Sequence, residues 1–266
     1  TTEIYTLSLH DALPIFSRWY GWRMDLPSSR RRVLPFVARY GLDASEFADP
    51  PERFRTFNEF FHRRLRPGAR PVDPDPAVVA LPADGRHLGF PRLDQADAFF
   101  VKGERFDLAT FLQDDGRARR FAGGPAVFSR LCPVDYHRFH FPVAGTPDPA
   151  RLVEGPLWSV NPIALRRNLA ILWRNRRWLG RIQSPAAGDV LMCEIGATNV
   201  GSAVHTHPPG QWANTGDEKG YFRFGGSAIL TLFEPGRVTL AEDLVRAGIE
   251  GIELYARCGD TLGRAR

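Results

Sequence analysis

Residues 225–228 (GGSA) place a hydroxyl nucleophile directly after two glycines, between the aromatic run 221–224 and the apolar run 229–233. Because Gly226 has no side chain, the Ser227 oxygen can approach the carbonyl carbon just before it. This arrangement permits the chain to cleave its own peptide bond. A Gly-Gly-Ser sequence is also typical of a turn or bulge between strands, so both interpretations stay open on these residues alone.

Two other segments contain groups that could assist such an attack. Asp84 lies in a Pro-Ala-Asp-Gly turn after an apolar run, although Asp-Gly also forms ordinary turns. His137 and His140 are three residues apart, which separates them in a strand but lets both enter one cleft from a turn. Histidine exchanges its proton near neutral pH, so this segment would supply a general base or acid. The alternative is a histidine pair that only satisfies hydrogen bonds in a packed interior.

A metal site is the competing interpretation of the histidines. His137, His140, His205 and His207 together offer four imidazoles. Their spacings come without a cysteine or carboxylate motif, and such spacings constrain a site only loosely. We therefore predict no bound metal.

Composition limits the class of protein. The chain has 266 residues, of which 43% are hydrophobic and 24% charged, and a formal net charge of +5. These values argue against wholesale disorder and favour an anionic partner, either nucleic acid or an acidic membrane surface. The basic residues form no nucleic-acid recognition motif, so we expect no nucleic-acid partner. Cys132, Cys193 and Cys258 lack CxxC spacing and are expected to be buried and reduced.

Three regions are expected along the chain. Residues 1–16 lack the features of a secretory signal and resemble a translated adapter, so we interpret them as a non-native leader. Residues 17–66 are predicted to be helical and to associate with a membrane. Residues 67–266 are predicted to form a β-rich catalytic domain, because short apolar runs there alternate with Pro, Gly and Asp.

Within the helical region, Ser28 or Ser29 is predicted to cap a helix that Gly41 ends. Five apolar residues then recur at helical spacing and are expected to pack in a core, with a membrane-facing stripe as the alternative: Phe54, Phe57, Phe60, Phe61 and Leu65. Aromatic and basic residues favour the headgroup depth of a membrane, although a solvated basic helix has the same composition. These residues are Trp19, Tyr20, Trp22, Arg18, Arg23, Arg30, Arg31 and Arg32.

In the β-rich region the predicted strands are 77–81, 98–102, 125–131, 188–195, 198–204, 220–224 and 227–234. One helix is predicted over 162–174, because Pro162 suits its first turn. No apolar run reaches the roughly 18 residues that a membrane-spanning helix needs.

Six segments follow one another between about residue 53 and residue 240. They are FNEFFHRRLRPGARPVD, LPADGR, LCPVDYHRFHFPVAGT, LWSVNPIAL, EIGATNVGSA and KGYFRFGGSAILTLF. Together they resemble the phosphatidylserine decarboxylase proenzymes, which are pyruvoyl-dependent enzymes of phospholipid synthesis. One such match would mean little, but six in register are specific.

The resemblance implies an autocatalytic triad of Asp84, His140 and Ser227. Asp84 would orient His140 and stabilise its charge, and His140 would take the Ser227 proton during attack on the Gly226 carbonyl. Cleavage would leave a β chain that ends at Gly226 and an α chain of 40 residues, 227–266. The pyruvoyl group made from Ser227 would bind the amine of phosphatidylserine as a Schiff base and accept electrons as carbon dioxide leaves. His137 would assist decarboxylation or protonate the resulting carbanion.

The resemblance also implies an α+β fold, with N-terminal helices packed on a strand-rich catalytic core. The two chains would stay together, with a homodimer of this unit as a further expectation, and would attach peripherally to the cytoplasmic face of the membrane. Ala228 stands where the family usually has threonine, which implies slower maturation. Arg176 stands where relatives commonly have glutamate. Two alternatives are a pyruvoyl decarboxylase of a soluble amino acid and a lipid-binding protein that no longer matures.

Overall fold

A computed structural model of the chain describes residues 19, 21–93, 106–160, 162–165, 168, 170–197, 203–225 and 227–266. The helices in these ranges are α1 Val33–Tyr40, α2 Phe57–Phe61, α3 Leu108–Leu112, α4 Asp115–Phe121, α5 Pro162–Leu165, α6 Ile171–Arg174 and α7 Glu242–Glu250. Short 3₁₀ helices lie at Pro27–Arg32, Ala44–Glu46 and Pro51–Arg53.

The first seven strands are β1 Val78–Ala80, β2 Gly85–Phe90, β3 Ala126–Leu131, β4 Arg138–His140, β5 Thr146–Pro147, β6 Arg151–Val153 and β7 Arg177–Ser184. The others are β8 Gly188–Gly196, β9 Ala203–His205, β10 Glu218–Phe222, β11 Ser227–Phe233, β12 Val238–Leu240, β13 Leu254–Ala256 and β14 Thr261–Ala265.

These strands form three antiparallel sheets. The large sheet has eight strands in the order β13-β2-β3-β11-β8-β7-β5, with β6 also paired to β7. A small sheet, β4-β10-β9, carries the histidine segment, and a second one has the order β1-β14-β12. Because the chain combines a few N-terminal helices and several later ones with antiparallel sheets, the predicted α+β fold is confirmed.

Strand β11 lies inside the large sheet, and its alternating side chains enter two apolar cores. Ala228, Leu230 and Leu232 pack into the core on one face, together with α3, α4 and α6. Ile229 and Phe233 pack into the core on the other face, which includes Phe139 and Phe222 of the small sheet and Leu244 of α7. A strand buried on both faces reads as a continuous apolar run, as the segment 228–233 does.

The N-terminal helices form a third core that contacts the chain just before Ser227. Phe54, Phe57, Phe60 and Phe61 are all buried, which confirms the expected core packing of these residues. The rings of Phe57 and Phe61 lie 5.4 and 4.9 Å from that of Phe224.

The predicted helix that ends at Gly41 is confirmed as α1, and Gly41 adopts the left-handed conformation with φ 60°. The predicted serine cap is wrong, because a 3₁₀ helix over Pro27–Arg32 precedes α1 and no side chain caps α1. Instead, the buried Ser29 hydroxyl donates to the Met24 carbonyl at 2.9 Å and accepts the Phe57 amide at 2.8 Å. Ser29 therefore joins the N-terminal segment to α2.

Five predicted strands match β1, β3, β8, β10 and β11 within a few residues. The predicted strand 98–102 lies outside the described residues, and of 198–204 only its end is described, where β9 begins at Ala203. The single helix predicted over 162–174 is wrong, because α5 and α6 are separate. The Asn168 side-chain oxygen accepts the Ala170 amide at 3.0 Å, and a local side-chain bond of this kind competes with helix continuation.

Candidate active site

Ser227 is the first residue of β11 and lies between two partner strands. It pairs with Leu131 of β3 on one side and with Gly196 of β8 on the other. Its hydroxyl is buried and has no hydrogen-bond partner among the described residues. Gly226, the other side of the predicted cleavage site, lies outside the described residues. An unpaired buried hydroxyl opposite a glycine is a group available for chemistry, because buried polar groups are normally satisfied.

Asp84 lies in the turn before β2, and both oxygens of its buried carboxylate accept hydrogen bonds. Arg70 donates to Oδ1 from Nε at 2.8 Å and to Oδ2 from Nη2 at 2.6 Å. The Cys258 amide also donates to Oδ1, at 2.9 Å. Cys258 belongs to the 227–266 segment, so Asp84 fixes that segment to the turn at 82–85.

His140 ends β4 beside the same turn, because its amide donates to the Pro82 carbonyl at 2.8 Å. The ring nitrogen Nδ1 donates to the Gly216 carbonyl at 2.9 Å, which leaves Nε2 as the acceptor in the neutral ring. Tyr136 contacts Nε2 through its hydroxyl at 3.2 Å. Burial lowers the pKa of His140, although the Gly216 carbonyl and the charges of Glu218 and Asp84 oppose this shift. The ring is therefore neutral at pH 7 and can act as a base.

The structure brings Asp84 and His140 to one turn, whereas Ser227 is the first residue of β11. The bonds of Asp84 go to Arg70 and Cys258, and those of the His140 ring go to Gly216 and Tyr136. Among the contacts of these described residues, no hydrogen bond joins His140 to Asp84 or to Ser227. Asp84 influences His140 by charge, since it is one of the groups that raise the His140 pKa.

His137 is fully buried beneath α2. Its Nδ1 donates to the Asp135 carbonyl at 2.9 Å, and its ring stacks on Phe61 with centroids 3.8 Å apart. The Nε2 atom is buried without a hydrogen-bond partner in the described part of the chain. Burial lowers the pKa of His137 to about 3, so the ring is neutral and presents Nε2 as an unused acceptor.

The four histidines of the metal interpretation do not converge. His205 bonds to Glu194 through Nε2 at 3.1 Å, and the His207 ring packs at 5.0 Å from the Phe141 ring. Among the described residues, no three His, Cys, Asp or Glu side chains are grouped so that they could hold a metal ion.

All four predicted site residues lie within a segment that is similar to a known protein family. The family model described as phosphatidylserine decarboxylase matches residues 57–264, a range that includes Asp84, His137, His140 and Ser227. The chain belongs to the phosphatidylserine decarboxylase family. Proteins of the same family, each named phosphatidylserine decarboxylase proenzyme, are similar along most of their length. The one from Chlamydia pneumoniae is 41% identical over 260 residues, 98% of this chain and 85% of its own. The one from Chlamydia muridarum is 42% identical over 250 residues, 94% and 83% of the two chains.

Ala228 and Arg176, the two expected departures from the family pattern, have side-chain contacts other than those of Asp84, His137 and His140. Ala228 points to the face of β11 opposite Ser227 and is completely buried in an apolar core, where a threonine hydroxyl would need a partner. Arg176 bonds to Glu154 at 3.3 Å and lies over the Trp178 ring.

Three residues that hold the predicted triad in place are not evident from the sequence pattern. Arg70 bonds to Asp84, and Tyr136 and Gly216 bond to His140. Arg70 and Tyr136 lie inside family-like segments, which was the available signal. Gly216 acts through its carbonyl, which leaves no signal in a side-chain pattern.

Proposed function

We propose that this protein is made as a proenzyme, cleaves itself before Ser227, and then decarboxylates phosphatidylserine to phosphatidylethanolamine and carbon dioxide. The observation that carries the proposal is the buried Ser227 hydroxyl, which begins an inner strand and has no hydrogen-bond partner in the described ranges of the chain. Family membership supports the same reaction through the name of the matched family model.

In the proposed cleavage, a neutral His140 accepts the Ser227 hydroxyl proton while the oxygen attacks the Gly226 carbonyl carbon. The Gly226–Ser227 amide bond breaks as an ester bond forms, and the freed nitrogen takes up a proton. Loss of the Ser227 α-proton then expels Gly226 as a carboxylate. Water replaces the nitrogen, which leaves as ammonia, and a pyruvoyl group begins the α chain.

Asp84 is proposed to act on this reaction by charge. A negative group near His140 favours the protonated ring that forms when the serine proton is transferred. The hydrogen bond from the His140 amide to the Pro82 carbonyl keeps His140 beside the turn that contains Asp84. The Gly216 carbonyl fixes the tautomer, since it accepts the proton on Nδ1 and leaves Nε2 free to take another.

The residues around position 227 fit a pyruvoyl group. Its site is buried, the facing residue Gly196 has no side chain, and the serine hydroxyl has no bond to lose among the described residues. The chemistry such a group supplies is covalent capture of an amine and acceptance of the electron pair released with carbon dioxide.

His137 is the proposed proton-handling residue of decarboxylation. Its Nε2 is an acceptor in the neutral ring, so it can bind a donor on the substrate. To deliver a proton from Nε2, the ring must first take one up, and burial opposes that step in the substrate-free protein.

The α and β chains are proposed to stay together after cleavage. Strand β11 pairs with β3 and β8 along its whole length, and β14 pairs with β1. Breaking this association would expose the apolar residues of β11 on both faces. A homodimer of the two-chain unit is an expectation of the family resemblance.

The N-terminal region is proposed to contact the cytoplasmic face of an anionic membrane. Trp19, Trp22, Leu34 and Tyr40 are exposed there, and Arg30 and Arg31 belong to the adjacent 3₁₀ helix. Aromatic and apolar side chains insert at headgroup depth, and each nearby Arg contributes about 1 kcal/mol of attraction to an acidic surface. Among the described residues, no helix is long and apolar enough to cross a bilayer.

The deciding experiment combines intact-mass measurement with a decarboxylation assay on phosphatidylserine vesicles. We expect a 40-residue chain that begins with pyruvoyl, a complementary chain ending at Gly226, and release of carbon dioxide from the lipid. Activity on free serine or arginine without activity on lipid would favour the soluble-substrate alternative. A persistent single chain that binds vesicles would favour the lipid-binding alternative.

A further inference from the structure

A buried ionic cluster joins the two sheets that carry the proposed base and the proposed nucleophile. Glu194 on β8 accepts a hydrogen bond from Lys219 on β10 at one carboxylate oxygen. His205 on β9 donates to the other oxygen at 3.1 Å. Lys219 and His205 belong to the small sheet with His140, whereas Glu194 belongs to the large sheet with Ser227.

The strand register places Glu194 next to Ser227 on the same face of the large sheet. Ser227 pairs with Gly196, and Ile229 pairs with Glu194. Side chains alternate along a strand, so residues 194 and 196 of β8 face the same side as residues 227 and 229 of β11. Because Gly196 has no side chain, Glu194 is the first side chain of β8 on that face, at the diagonal position roughly 7–8 Å away.

The cluster is charged although it is buried. Glu194 is completely buried, and the exposed fraction of Lys219 is 4%. Burial acts to raise the pKa of Glu194, but the charge of Lys219 and the bond from His205 outweigh it and hold the pKa below its ordinary value. A buried ion pair adds little net stability compared with apolar residues of the same size, so a role in setting geometry explains its presence better.

Cleavage would cut a covalent connection between these same sheets. The chain passes from β10 to β11 through residues 223–226, and the proposed cleavage separates Gly226 from Ser227. Resting on the proposed function, we propose that Glu194, Lys219 and His205 are positioning residues. They set the small sheet, which carries His140, against Ser227 before cleavage, and hold that alignment for decarboxylation once the connection is gone.

The test uses Glu194→Gln, Lys219→Met and the double variant in the full chain. Three quantities are measured: the melting temperature, the self-cleavage rate, and the decarboxylation kcat per pyruvoyl group. We expect each single variant to cleave at least tenfold more slowly and to lose at least tenfold in kcat. The double variant removes both charges, so it should recover the melting temperature but neither rate.

A double variant that recovers the melting temperature and both rates would overturn the proposal. Cleavage and decarboxylation would then require only that no unpaired charge is buried, and the ionic contacts would have no positioning role. If the single variants do not fold, the double variant decides alone. Asp75→Asn is the control: it breaks the 2.5 Å pair with Arg264 of β14, which belongs to the separate sheet β1-β14-β12, and both rates should stay at the wild-type level.

The wild-type protein separates this proposal from the proposed function. A wild-type chain that neither cleaves nor decarboxylates would contradict the proposed function itself. A wild-type chain that does both, with folded single variants that match its rates, would contradict only the positioning role.

Discussion

Arg70 donates to both carboxylate oxygens of Asp84, at 2.8 and 2.6 Å, and the Asp84 side chain is only 3% exposed. Arg70 also bonds to Glu46, which lies in a 3₁₀ helix of the N-terminal region. The carboxylate of the predicted triad is therefore held by a residue that also contacts the N-terminal part of the chain.

Replacement of this arginine should affect both stability and maturation. Arg70→Met leaves Asp84 buried and unpaired, so we expect a loss of about 3–5 kcal/mol in the free energy of unfolding, and slower cleavage. Denaturant unfolding of the cleavage-blocked Ser227→Ala protein, with and without Arg70→Met, measures the first effect. Arg264→Met is the control, because the Arg264–Asp75 pair is largely exposed and should contribute less than about 1 kcal/mol. Equal losses in the two variants would contradict this prediction.

The rate of self-cleavage should depend on the protonation of His140. Burial lowers the pKa of His140 below 6.5, so the neutral base predominates at pH 7 and is lost only as the pH falls through this lowered value. Precursor from cell-free synthesis, shifted to buffers between pH 5 and pH 8, should keep more than half of its maximal rate at pH 6.5. His140→Gln should slow cleavage roughly 10²–10⁴-fold. A half-maximal rate above pH 6.5, or normal maturation of His140→Gln, would remove His140 from the role of base.

Replacement of His137 should impair decarboxylation but leave self-cleavage intact. His137→Gln keeps a polar side chain beneath Phe61, so we expect cleavage to proceed while kcat for decarboxylation falls roughly 10²–10⁴-fold. Electrophoresis under denaturing conditions measures the first quantity, and carbon dioxide release per pyruvoyl group measures the second. Loss of cleavage in a folded His137→Gln protein would place His137 in maturation instead.

Replacement of Asn175 should lower stability and slow cleavage, because its side chain connects Trp158 to Gly196 of β8. It is completely buried, and its amide group donates to the carbonyls of Trp158 and Gly196, both at 2.8 Å, and accepts the Trp158 amide. Asn175→Ala removes three hydrogen bonds beside the residue opposite Ser227, and the loss of each buried hydrogen bond costs about 0.5–1.5 kcal/mol. We expect a lower melting temperature and slower cleavage. Asn168→Ala, at an exposed position with one local bond, is the control and should change neither.

Membrane binding should depend on the N-terminal surface. Leu34→Glu puts a charge on an exposed apolar position of α1, and we expect the fraction bound to acidic vesicles to fall at least about fivefold in flotation. Ile249→Glu on α7 is the matched control, since Ile249 is exposed but distant in sequence from the basic segment. Binding that ignores salt, lipid charge and Leu34→Glu would contradict the proposed attachment.

Local patterns in the sequence predicted the parts of the structure that local forces decide. Gly41 ends α1 because glycine adopts the left-handed conformation without strain, and the run 228–233 forms an inner strand because it is apolar at every position except Thr231. Two of the failures come from long-range partners. Ser29 bonds to Phe57 rather than capping a helix, and Arg70 reaches Asp84. Neither contact leaves a periodic trace in the sequence.

The inner position of β11 has a consequence for how the enzyme must be made. In the proposed 40-residue α chain, strand β11 lies between β3 and β8. This chain could not be added later to a protein folded without it, because that protein would have two unpaired strand edges and an exposed apolar core. Under the proposed cleavage, each molecule therefore has one opportunity to create its prosthetic group, and a copy in which that group is damaged must be replaced by new synthesis, not repaired by exchange of the short chain.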